Sequence, residues 1–163
     1  MKLGLAIAEV RDAELALAER LGALGERHKA DHDVYHLTET LQRIAQANLA
    51  RLASAAERYG VDLVPSDAPT EHPSGALATL RGKTSELLGR RPEPALLLLR
   101  DLRELHLLYA QASINWVMLA QGAQAARDAE LLEVVSRSHA QTLRGMKWTV
   151  TRIKVAAPQV LTS

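Results

Sequence analysis

The chain has 163 residues, 47% hydrophobic and 24% charged, with Lys+Arg 20 against Asp+Glu 19 for a formal net charge of +1. That is enough apolar material for one domain with a real core; it excludes a disordered chain, and the near-neutral balance argues against bulk nucleic-acid binding. The absence of cysteine excludes disulfide scaffolds, zinc fingers, thiol enzymes and Cys-ligated clusters.

Apolar residues first recur in alternating threes and fours over 3–28: Leu3, Ile7, Val10, Leu17, Leu21 and Leu24, with Glu14 where an apolar residue belongs. This predicts an amphipathic helix about 40 Å long at 1.5 Å per residue. Lys29 to Asp33 reads as a turn, with Asp31 or Asp33 capping the next helix. That helix is expected at about 34–59, on the stripe Val34, Leu37, Leu41, Ile44, Asn48, Leu52, Ala55 and Tyr59, and Gly60 stands where a left-handed residue ends it. Residues 61–74, with Pro65, Pro69 and Pro73, are expected to be extended, with His72 in a surface loop, and a short helix is expected at about 75–88.

Pro92-Glu93-Pro94 opens a third long helix that runs to about 123. One face carries Leu98, Leu102, Leu105, Tyr109, Ala112, Trp116 and Leu119; the other carries Leu96, Leu107, Ala110, Ile114, Val117 and Met118. A helix apolar on both faces is expected to be covered on both. Asp128 and Glu130 suit the start of a fourth helix, with the seam Leu132, Val135, His139, Thr142, Met146, Val150 and Ile153 and a stop at Pro158. The prediction is an all-α, four-helix bundle in a single domain, 1–163, made of hairpins 3–59 and 92–157 joined by a crossover at 60–91.

The seams contain an unusual polar set. Glu14 and Asn48 stand equally far from a turn centred near residue 31, so they should meet at mid-bundle, and His139, Thr142 and Tyr109 lie in the facing helices with His106 and Ser113 at the flank. A buried carboxylate needs a partner, a metal or a proton. With this helix order, the single long crossover and the mid-helix polar residues, the chain resembles the ferritin-like superfamily over roughly 3–157.

In di-metal members of that superfamily one helix of each hairpin supplies a Glu and the other a Glu-x-x-His. Glu14 matches the first Glu, and His139 matches the His of the fourth-helix motif. Ala45-Gln46-Ala47-Asn48 and Ser136-Arg137-Ser138-His139 depart from it, and the third helix offers Gln111 or Asn115 in place of its Glu. The resemblance therefore implies a ferritin-like shell with an incomplete ligand set. Glu14, Asn48, His106, Tyr109 and His139 are the candidate metal or ligand residues, with iron or manganese as the alternative to no cofactor. The other reading of the same residues is a polar network that fixes the bundle register.

Three further features stand out. His28, His32 and His36 recur every four residues beside Asp31 and Asp33, which reads either as a capping turn or as a metal-sharing pair on a continuous helix. Arg137, Arg144 and Arg152 flank Trp148, a candidate surface for an anionic partner; the other reading packs Trp148 on the crossover or a second subunit. The second face of the third helix, Leu107, Ala110, Ile114, Val117 and Met118, needs cover from either the crossover segment or another chain, and is the candidate interface of a homodimer.

No nucleophile–base pair, phosphate loop or nucleophile elbow is recognisable. The expected function is a non-catalytic interaction or scaffold protein. The alternative is a bundle that binds a metal or small ligand. No run of about 20 apolar residues marks a membrane span. The first residues, with Glu9, Arg11 and Asp12, do not read as a signal peptide, so a cytoplasmic location is expected. Arg outnumbers Lys about three to one, which we read as the codon usage of a GC-rich bacterial genome.

Overall fold

The apolar stripes pack against one another as four helices: α1 Leu3–Arg27, α2 His32–Arg58, α3 Pro94–Ala125 and α4 Ala129–Leu161. The computed structural model describes residues 2–63 and 93–163, and no strand occurs among them. The short helix expected at 75–88, the rest of the extended stretch from residue 64 on and His72 lie outside the described residues.

Short polar side chains set the helix starts. Asp31 is extended (φ −90°) and its carboxylate accepts from the Val34 N–H at 3.1 Å, so it, and not Asp33, is the cap of α2. The turn is therefore shorter than expected, and His32 and Asp33 belong to the helix. Asp128 caps α4 in the same way, accepting from the Leu131 N–H at 3.0 Å, and Pro94 occupies the first turn of α3, where its missing N–H costs nothing. Gly60 follows α2 at φ +68°, the left-handed conformation expected of it.

One boundary differs from expectation. Pro158 lies inside α4, which continues to Leu161. The carbonyl deprived of its donor belongs to exposed Lys154, where solvent can replace the missing N–H, and the helix continues through the last turn.

Cross-helix contacts give the directions. Leu3 lies against Gly122 and Arg27 pairs with Asp101, so α3 runs antiparallel to α1. The Tyr59 hydroxyl donates to Asp128 at 2.9 Å and Arg152 pairs with Asp31 at 3.1 Å, so α4 runs antiparallel to α2. Helices α2 and α3 are thus parallel, and Leu63 and Glu93 lie at opposite ends of the bundle. Around the bundle, α1 touches α2 and α3, and α4 touches α3 and α2.

The core has two apolar layers. One holds Ile7, Val10, Leu52, Trp116, Leu119 and Leu131. The other holds Leu17, Leu21, Leu24, Val34, Leu105 and Tyr109. Glu14 lies where they meet.

The inward stripe of α4 is Leu131, Val135, Ser138, Thr142, Gly145 and Thr149, about one residue out of phase with the expected Leu132, His139, Met146 and Val150. The physical reason is volume. The large rings come from α3, so α4 presents small residues opposite them, and a Cβ on Gly145 would stand 2.3 Å from Tyr109 Cζ.

Candidate functional site

Glu14 is 1% exposed, and its Oε1 is the meeting point of three donors from the other three helices. Trp116 Nε1–H from α3 donates at 2.7 Å, Asn48 Nδ2 from α2 at 3.2 Å, and the Thr142 hydroxyl from α4 lies at 3.1 Å. Thr142 shares its proton with the Ser138 carbonyl at 3.2 Å. The Asn48 amide is oriented from its other side, because Oδ1 accepts from Arg51 at 2.9 Å and Nδ2 is thereby turned to the carboxylate. Burial raises the Glu14 carboxyl above its usual pKa, and the three donors oppose that effect without cancelling it. Burial and the nearby Glu14 charge also raise the Tyr109 phenol.

This donor set decides what the site can hold. A carboxylate-bridged metal pair needs several carboxylates and imidazoles turned inward. The groups facing Glu14 are an indole N–H, an amide N–H and a hydroxyl, all donating to its Oε1, and none is a carboxylate or an imidazole. They do not fit such a centre, and among the described residues no three His, Asp or Glu side chains converge on a common point. The arrangement can hold a carboxyl group in one position, and with it the relative height of all four helices.

The remaining predicted residues are elsewhere. His106 Nδ1 lies 2.9 Å from the Thr149 hydroxyl, and His139 Nε2 lies 2.9 Å from the Ser113 hydroxyl. Both are half-buried flank pairs between α3 and α4, separate from Glu14. Burial lowers the His139 pKa, which favours the neutral ring. Asn115 donates to the Glu9 carbonyl at 3.1 Å and takes no part in the Glu14 network.

A second buried charged group was not anticipated. Asp101 is 2% exposed and accepts from Arg20 at 3.0 Å and from Arg27 at 3.0 and 3.1 Å, with His28 Nε2 at 2.8 Å. It ties the end of α1 to the start of α3. Its signal was present in the spacing: Asp101 stands three residues after Leu98 and four before Leu105, on the inward stripe, but among the charged residues Arg100, Arg103 and Glu104.

The surface candidates separate as well. Arg137 pairs with Glu133 one turn away at 2.6 Å and faces solvent, as does Arg144. Arg152 and Trp148 turn instead toward the first turns of α2, where they line a groove with Leu37. Trp148 therefore has α2 as a neighbour. On α3, Leu107 is 57% exposed, Ile114 55%, Met118 51% and Val117 39%, with Ala110 between them.

No helix among the described residues is long and apolar enough to cross a membrane. Comparison of the chain with family models, with curated proteins and with solved structures finds no match in any of the three.

Proposed function

We propose that this chain is a non-catalytic helical-bundle interaction protein, ferritin-like in helix order, that works as a homodimer through the outward face of α3. The observation that carries the reading is that face. From Leu105 to Ala126 the sequence contains no Asp, Glu, Lys or Arg, and its exposed positions include Leu107, Ala110, Ile114, Val117 and Met118. At 1.5 Å per residue the charge-free stretch is about 30 Å long. A contiguous apolar surface of this kind marks a protein–protein contact.

A second copy is the partner the chemistry favours. Around a twofold axis, side chains near the axis meet their own copies, and any charge there would meet a like charge. This face brings none. The ferritin-like order is supported by the parallel α2 and α3, whose facing chain ends lie at opposite ends of the bundle. In this reading the Glu14 network sets helix register and performs no chemistry.

Sedimentation velocity tests the proposal. The parent chain is expected to sediment as a dimer, and Leu107→Glu and Ile114→Glu as monomers with unchanged helix content and a melting temperature no higher than the parent's. A parent chain that stays monomeric at the highest concentration reached, or a dimer untouched by both substitutions, would overturn it.

A further inference from the structure

The run His32-Asp33-Val34-Tyr35-His36 opens α2, so both imidazoles sit on one continuous helix, one turn apart. Their ring centroids are 6.3 Å apart and the planes 29° from parallel. Both side chains are exposed, and among the described residues neither ring takes part in a hydrogen bond or ion pair. With Asp33, Trp148 and Arg152 they line a groove of about 480 Å³ between α2 and α4.

The local charge suits a cation. Arg152 is held by Asp31 at 3.1 Å, which offsets its charge, whereas Asp33 has no ion pair among the described residues. The positive end of the α2 dipole works against a cation, and the Asp31 cap together with Asp33 offsets it.

We propose that His32 and His36 form a two-nitrogen clamp for a divalent late first-row transition metal of zinc type, with water in the groove filling its other positions. Neutral imidazoles at i and i+4 of a helix present their ring nitrogens on one face, and imidazole is the ligand such ions select. Both rings are free to change rotamer, which lets them close on one ion at nitrogen distances of about 2.0–2.1 Å. Only two protein ligands are engaged, so the ion is exchangeable and the fold does not depend on it. The site lies on α2, away from the α3 face, and stands whether or not the chain is a dimer.

The test is a titration of the tag-free full chain with Cu²⁺, a paramagnetic quencher of indole fluorescence. Trp148 lines the groove, while Trp116 is fully buried at mid-bundle. The expected result is saturable quenching at one ion per chain, reversed by EDTA and lost in both His32→Ala and His36→Ala. Loss of a hydrogen-bond partner behind a metal ligand already costs roughly 10–100-fold in affinity, so loss of an imidazole itself should weaken binding by at least that much. Both side chains are exposed, so the variants should melt like the parent. Quenching that survives both substitutions, or no saturable binding, would overturn the proposal.

Discussion

Replacing Glu14 by Ala and by Gln separates its two contributions, an accepting oxygen and a titratable proton. Glu14→Ala removes the acceptor for Trp116 Nε1–H and Asn48 Nδ2, which are 0% and 1% exposed at the residue level. Thr142 keeps the Ser138 carbonyl and is spared. Two orphaned donors at about 1–3 kcal/mol each give a loss of about 2–6 kcal/mol, before any cavity term. That is a large part of the 5–15 kcal/mol typical of a whole domain.

Glu14→Gln keeps an oxygen for the same donors and cannot ionise. The folded carboxyl has a raised pKa, so the folded state binds its proton more tightly than the unfolded chain does. The stability it contributes is complete below the unfolded value and is lost as pH rises through the folded value. The stability of Glu14→Gln relative to the parent should therefore improve with rising pH across that window, by at most about 1.36 kcal/mol per pH unit, and then level off. Urea denaturation followed by Trp fluorescence at several pH values measures this. A Glu14→Gln loss as large as that of Glu14→Ala, with no change in pH slope, would refute the reasoning and mean that the folded state holds the carboxylate as an anion.

Two other substitutions test the packing account. Asp101→Ala should cost about 3 kcal/mol by urea denaturation, because it leaves His28 without its buried acceptor, while Arg20 keeps Glu104; this is the low end for a broken buried pair, since the Arg20 and Arg27 side chains are 24% and 46% exposed and partly screened. Gly145→Ala should lose about 2 kcal/mol, because its methyl enters the Tyr109 ring, and pairing it with Tyr109→Leu should recover part of that loss in a double-mutant cycle. Equal losses from Gly145→Ala with and without the Tyr109 change would contradict the steric cause.

Much of this architecture was legible because helix periodicity and distance from a turn are both counted along the chain. Equal spacing placed Glu14 against Asn48, and the two are bonded at 3.2 Å. The two apolar faces of α3 were also plain, and one of them is buried as expected. The phase of α4 was not, because Ser138, Gly145 and Thr149 look like surface residues until the rings of Trp116 and Tyr109 claim the volume opposite them. That information lies on another helix. His139 was therefore assigned to the seam, and Thr142, already noted as polar, is the α4 residue that reaches Glu14. Trp116 was read only as an apolar seam residue, yet its N–H makes the shortest bond in the network. Asp101 was hidden by its charged neighbours, since burial of a single carboxylate is decided by partners on α1 that are more than seventy residues away.

The proposed dimer contact through α3 can be probed most directly by cross-linking, because the chain has no native cysteine and a single introduced thiol reports one position. Ile114→Cys, near the centre of the exposed stripe, should give a covalent dimer with a short bis-maleimide, while Leu5→Cys, on α1 and 70% exposed, should not. No dimer from Ile114→Cys, or equal yields from both positions, would contradict the account.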